Sequence, residues 1–174
     1  MKIIELFLKI IELKELKRTG WVRKEIPRPE SVADHSFGVA LLALLLPIPK
    51  DMNHEVLIKM ALLHDLGESV IGDIVCEEDN LLKKEQKHKD ETKAIESLLE
   101  NNTALKEIAL DYIQQRTPEA LYLKELDKLD MVFQAFFYEK NRNSPCLQEF
   151  WDSAQKHLKN PAILELFQEL NQRR

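Results

Sequence analysis

The sequence predicts an all-α fold of about eight helices. Three observations carry this. Apolar residues recur three or four positions apart, the period of a helix face, and strand-like alternation is absent. Only four of the 174 residues are glycine, too few for a protein rich in tight β-turns. Helix stop signals fall at short intervals between the periodic stretches.

The elements follow in order. Lys2, Glu5, Lys9 and Glu12 form one polar stripe on a helix over about 2–18, with Ile, Leu and Phe around the rest. Gly20 is its expected C-cap. A helix so widely apolar is expected to be buried, in the core or at a subunit interface, and its mixed charge disfavours a membrane-surface role. Pro27 and Pro29 imply an extended path over Arg28. Ser31 is the expected N-cap of a central, almost wholly apolar helix over 32–46, closed by Pro47 and Pro49. A third helix runs over 53–66, with Leu57, Met60, Ala61 and His64 on one face and Gly67 as its stop. ESVIGDIVCEEDN reads as a loop with at most one short turn. A charged helix over 81–100 and another over 104–115 come next. Thr117-Pro118 opens a long helix to about Lys140, with Thr as cap and Pro in the first turn. Two last helices, 146–158 and 161–172, are separated by Asn160-Pro161.

Length predicts a single domain over 1–174 with a core that needs no disulfide or structural metal. Hydrophobic residues make up 44% and charged residues 32%, the balance of a globular chain rather than a disordered or membrane-spanning one. Twenty-five basic and thirty acidic residues leave a net charge of −5, so nucleic acid is not an expected partner. Neither a G-x-G-x-x-G nor a Walker loop is present. Cys76 and Cys146 form no C-x-x-C pair, and a reducing, cytoplasmic setting is the simplest expectation. Glu5, Lys9 and Glu12 interrupt the apolar start, which argues against a signal peptide. The longest apolar run, Val39 to Ile48, is too short to span a bilayer, so no membrane partner is expected.

Four groups stand out chemically: His35, the pair His64-Asp65, and Asp127. Imidazole with carboxylate suits a divalent first-row metal or Mg²⁺. His35 lies in an apolar helix, where an unpartnered ring is costly. His64 and Asp65 end a helix, where neighbours about 100° apart can still converge on one ion. Asp127 is bracketed by Leu123, Leu126 and Leu129 and wants a cation or several donors. Hydrogen-bonded core histidines are the competing explanation. Asp130, three residues beyond Asp127, shares its face, so periodicity does not choose between them.

Four ordered blocks carry a resemblance: Val32-Ala-Asp-His35, His64-Asp-Leu-Gly-Glu68, Ile71-Gly-Asp73 and Lys124-Glu-Leu-Asp127. With RTGWVRKEIPRPESVADHS ahead and LDKLDMVFQAFFYE behind, they resemble the HD-domain metal-dependent phosphohydrolases, in particular the 5′-deoxynucleotidase subgroup. The likeness covers about residues 5–140; the stretch 141–174 carries no motif.

The resemblance implies an HD-domain helical bundle in which His35, His64, Asp65 and Asp127 hold one divalent ion (Mn, Co, Zn, Fe, Ni or Mg). Asp127 matches the family's K-x-x-D-x-L; Asp130 falls outside it and is read as solvated or as supporting a ligand. A second metal would need further histidines, and His88, in a charged run, is read as exposed, as are His54 and His157. Such an ion lowers the pKa of a bound water, to ~7 at best, making it a nucleophile for phosphorus. By the same resemblance Glu68 is the acid/base residue, Asp73 a second acid for the sugar 3′-hydroxyl or the water, and Trp21 a wall of the sugar pocket. Residues 14–28 hold six basic side chains against two acidic ones, a local excess that can draw in an anionic substrate. Within it Arg18, Arg23 and Arg28 are the candidates for bidentate phosphate contact. The well-known bacterial members carry Arg directly before the tryptophan; here it is Gly20, which leaves that contact to Arg18 or Arg23.

The expected activity is hydrolysis of (deoxy)nucleoside 5′-monophosphates to nucleoside and phosphate. The alternatives are another nucleotide or small phosphoester, or a non-catalytic ligand-sensing helical module. The apolar first helix and the run Phe133, Phe136, Phe137, Tyr138 exceed what one buried face needs and imply a homodimer.

Overall fold

The computed structural model of the chain describes residues 2–75, 80–141 and 146–174. The all-α expectation holds for them. The helices are α1 (Ile3–Glu15), α2 (Thr19–Arg23), α3 (Val32–Leu45), α4 (His54–Leu63), α5 (Glu68–Ile71), α6 (Leu81–Leu98), α7 (Thr103–Gln114), α8 (Pro118–Asn141), α9 (Gln148–His157) and α10 (Pro161–Gln172). Cys76, and with it part of the expected 68–80 loop, lies outside the described residues.

Local chemistry sets the starts. Ser31 accepts the Asp34 amide while the Asp34 carboxylate accepts the Ser31 N–H, a capping box that opens α3. Asn53, Asn80, Asn102 and Asn160 cap α4, α6, α7 and α10 with their side-chain oxygens. Thr117 Oγ1 accepts from Ala120 N at the mouth of α8.

α8 is the axis of the molecule. Leu123, Leu126, Leu129, Val132 and Ala135 are wholly buried along it. α3 and α4 pack on one side of α8, and α9 and α10 on another. A second apolar cluster joins α1, α6 and α7 through Leu13, Ile95, Leu98 and Ile113. No helix among the described residues is long and apolar enough to cross a membrane.

Four local expectations are corrected. Gly20 is not a C-cap; it lies inside α2, where a Cβ would come within 3.2 Å of the Phe150 ring. α1 stops at Glu15 because residues 16–18 turn to run beside 30–32, with Val32 N donating to Leu16 O and Arg18 N to Glu30 O. α4 closes three residues early, at Leu63, and a turn carries the chain into α5. Arg28 is not extended between its prolines: its φ is +54°, a left-handed bend that helps return the chain toward Ser31.

The expectation for α1 divides in two. Leu6, Ile10 and Leu13 face the core cluster. Ile3, Ile4, Phe7 and Leu8 are each more than half exposed. Burial in the core therefore applies to one strip of α1 only.

Candidate metal centre and phosphate site

Two helices and one turn bring the polar groups together. His35 enters from the first turn of α3, His64 and Asp65 from the turn after α4, and Asp127 from the middle of α8. His35 Nε2 lies 3.1 Å from Asp127 Oδ1, 3.7 Å from Asp65 Oδ2 and 3.3 Å from His64 Nε2. His64 Nε2 is in turn 3.2 Å from Asp65 Oδ2. Ligand atoms of His35, His64 and Asp127 all fall within 4.8 Å of one another.

The outer ring nitrogens are anchored. His64 Nδ1 donates to Ala61 O at 2.7 Å, leaving its Nε2 as the inward lone pair. His35 Nδ1 is 2.7 Å from Asp130 Oδ2. Asp130 therefore orients the ring from behind, the support that metal-binding histidines ordinarily have. This settles how α8 uses two carboxylates three residues apart: Asp127 meets the inner nitrogen of His35 and Asp130 the outer one.

Two buried imidazoles with facing nitrogens, ringed by carboxylates, match the donor set of a divalent cation. Electrostatics agrees. Burial and the nearby Arg18 oppose charge on His35, yet hydrogen bonds to Asp127 and Asp130 push its pKa up to about 10. Burial would raise Asp65, but His64, Arg18 and His35 outweigh it and hold the carboxyl below its ordinary range. Asp127 is likewise lowered against its burial by His35, Lys128 and Arg18. The cluster thus keeps its carboxylates ionised and draws a cation toward them; a metal would have to displace the proton of His35.

Gly38 makes room for this. A Cβ there would collide with Asp130 Oδ1. Alanine would gain about 1 kcal/mol in helix propensity. Overpacking costs about 1–3 kcal/mol, and a buried His35 N–H left without an acceptor a similar amount. Gly38→Ala is expected to lower the melting temperature and the metal content together, read by calorimetry and elemental analysis.

Arg18 reaches the cluster: Nη1 lies 3.2 Å from Asp65 Oδ2, and the side chain is mostly buried. Its burial disfavours the charge, but Asp65, Asp127, Asp73 and Glu68 raise its pKa above the ordinary value, so it stays a cation. Arg23 and Arg28 are exposed. Trp21 is only 1% exposed. Its Nε1 donates to Glu30 Oε1 at 2.7 Å, Tyr138 meets it edge-on and Phe150 packs against its face. Here it offers almost no ring surface to a sugar; it anchors α2 and, through α2, Arg18. Helix α9, from the stretch without motifs, contributes by supplying Phe150.

Glu68 opens α5 and is 3% exposed. Burial, Asp65 and Asp73 raise its pKa to about 9, against the pull of Lys87 and Arg18. Its surroundings therefore favour the neutral carboxyl. Asp73 accepts from Thr19 twice, at Oδ2 from the amide (2.6 Å) and at its carbonyl from the hydroxyl (2.7 Å). It ties the exit of α5 to the start of α2. His54 and His88 are exposed, as expected; His157 is half-buried, bonded to Ser153 O.

Reading the sequence missed Tyr112, Lys87 and Glu91. Tyr112 stands edge-on to His64, with ring centroids 5.3 Å apart. Lys87 and Glu91 had a usable signal: they continue the buried face of α6 (Leu98, Ala94) toward its N-terminus.

Comparison with known proteins agrees with the geometry. The HD domain family profile matches residues 10–170, and the chain belongs to that family. It is 38% identical to the 5′-deoxynucleotidase HDDC2 of Xenopus laevis over 92% of this chain and 82% of that protein. It is 35% identical to the human 5′-deoxynucleotidase HDDC2 over 97% of this chain and 84% of that protein. Its fold is similar to the crystal structure of the PH0347 protein from Pyrococcus horikoshii, with a TM-score of 0.81 and 35% identity over 98% of this chain and 99% of that one.

Proposed function

We propose that this chain is a metal-dependent 5′-nucleotidase, hydrolysing (deoxy)nucleoside 5′-monophosphates to nucleoside and phosphate. The observation that carries the reading is the convergence of His35, His64, Asp65 and Asp127, with the Arg18 guanidinium at its edge. The names of the relatives give the substrate class.

In this reading His35, His64, Asp65 and Asp127 would hold one divalent ion. When bound, it supplies Lewis-acid polarisation of the phosphoryl group and of the attacking water. Arg18 exchanges part of its contact with Asp65 for a phosphate oxygen, orienting the group for in-line attack. Glu68 acts as the general acid. The P–O5′ bond breaks, the 5′-oxygen takes the Glu68 proton, and the proton released by the water restores Glu68. Asp73, already fixed by Thr19, has one carboxylate oxygen to offer the sugar 3′-hydroxyl or the water. Trp21 serves the sugar site by holding α2, and Arg23 and Arg28 add to the positive approach.

The test is phosphate release from a panel of deoxy- and ribonucleoside monophosphates, using metal-stripped protein with Mn²⁺, Co²⁺, Zn²⁺, Fe²⁺, Ni²⁺ or Mg²⁺ restored. Release that depends on added metal and favours the deoxy series is the expected result. Failure with every monophosphate, metal bound, would move the substrate elsewhere.

Self-association and a cytoplasmic setting belong to the same reading. α3 exposes Phe37, Leu44 and Leu45, and α8 exposes Phe137, beyond the bare strip of α1. Apolar area of this kind on a small protein commonly marks an interface. Light scattering is expected to give twice the 20.3 kDa chain mass; a monomer would reject the dimer.

A further inference from the structure

Helix α6 is the most charged element of the chain, and most of its length faces solvent. Its buried strip is Leu98, Ile95 and Ala94. Continued toward the N-terminus, that strip passes through Glu91 and then Lys87. Neither residue is needed to close the core. An ammonium turned inward is costly unless acids meet it. Lys87 nonetheless turns inward: its side chain is 22% exposed, and its Nζ lies 3.5 Å from Glu68 Oε1 and 3.4 Å from Glu91 Oε1.

The register of this contact is set by the backbone. The turn at Gly67 lies directly against α6, where a Cβ on Gly67 would touch the Glu91 carbonyl at 3.6 Å. Glu68 is the next residue, so α5 and α6 meet at the level of Lys87 and Glu91. The Glu68 carboxyl has little else to hold it. Among the described residues Oε2 is buried with no hydrogen-bond partner, and Oε1 meets Lys87. A buried carboxyl with one free oxygen could rotate about its last torsion, which is broad. The Lys87 ammonium, in contact with Oε1 and itself held by Glu91, restrains that rotation.

We infer that Lys87 is a positioning residue for Glu68, itself held by Glu91, so that the acid/base carboxyl is kept aimed into the phosphate site. This rests on the reading of Glu68 as the proton donor. Lys87 acts through Glu68 and does not touch the substrate.

The test uses the full chain with metal restored and four variants: Lys87→Met, Lys87→Arg, Glu68→Gln and the Lys87→Met/Glu68→Gln pair. Lys87→Met is expected to lower kcat about tenfold, part of the ~10²–10⁴ that a positioned acid contributes. KM should stay within about twofold and metal content unchanged, and Lys87→Arg should recover most of the loss. In the Glu68→Gln background, Lys87→Met should cost almost nothing further, because the two act as one unit. A raised KM with kcat intact would make Lys87 a phosphate ligand instead and overturn the inference. So would effects that multiply, or an unchanged kcat.

A thermal-unfolding cycle on the same variants reads the pair without catalysis. Non-additive melting shifts are expected; additive ones overturn the coupling even in an active enzyme. Non-additive shifts in a protein that hydrolyses no phosphomonoester would overturn the functional reading alone.

Discussion

Asp127→Ala abolishes metal-dependent phosphate release and strips the metal, while Asp130→Asn leaves a weakened enzyme. This is the expected outcome of removing each α8 carboxylate in turn. Asp127 Oδ1 faces the inner nitrogen of His35, inside the ligand cluster. Asp130 touches the outer nitrogen. An amide at 130 can still accept from His35 Nδ1, so ring orientation survives in part. Loss of such outer support ordinarily costs about 10–100-fold in metal affinity or activity. Elemental analysis after dialysis, with phosphate release on the same samples, separates the two. Equal loss in both variants would mean that Asp130 is itself a ligand. No loss at Asp127 would sink the four-ligand assignment.

Metal affinity rises with pH, and the stability of the stripped protein falls over the same interval. The sign follows from two groups. His35 has its folded pKa raised from the usual 6.5 to about 10, so its contribution is complete below about 6.5 and is lost as pH climbs through 10. Glu68, raised from 4.5 to about 9, acts in the same direction from about 4.5 upward. The lowered Asp65 and Asp127 contribute above about 3.8 and lose stability only on the acid side. The stripped protein is therefore most stable at about pH 4 to 4.5, and loses stability first through Glu68 and then, above about pH 6.5, through His35 as well. A cation must displace the His35 proton, so loading releases about one proton and gains up to about tenfold in affinity per pH unit below 10. Calorimetric titration in buffers of different ionisation enthalpy counts the proton. Melting curves with and without metal should diverge from pH 6 to 9, and curves that stay parallel would refute the linkage.

Some parts of the molecule were legible because their causes are local. Ser31, Thr117 and Asn160-Pro161 act within one turn of chain, and the starts they predict are those observed. α8 was legible because twenty-odd residues of one helical period leave little choice. What was not legible has a different cause. Gly20 reads as a stop from its neighbours, yet Phe150, 130 positions later, packs against it and makes it part of α2. Trp21 sits in a basic stretch and resembles a sugar-pocket residue, but Tyr138 and Phe150 enclose it. Lys87 is one lysine among many in a charged run; only the approach of α5 gives it a carboxyl to face.

By itself the sequence determined the all-α class, the order of the motif blocks and the residue types of the metal cluster. Those are properties of spacing and chemistry along the chain. Periodicity left Asp127 and Asp130 equivalent, since both lie on one helix face, and only the motif match favoured Asp127. The sequence also left Arg18 and Arg23 as alternatives for the phosphate contact, since both belong to one basic stretch. Tertiary structure decided both. α3 meets α8 where Gly38 leaves room for Asp130, so the two carboxylates take opposite nitrogens of one ring. The pairing of residues 16–18 with 30–32 accompanies an Arg18 turned toward Asp65, while Arg23 and Arg28 lie at the exposed surface. Such outcomes depend on which surfaces meet across long sequence separation, which no local pattern records.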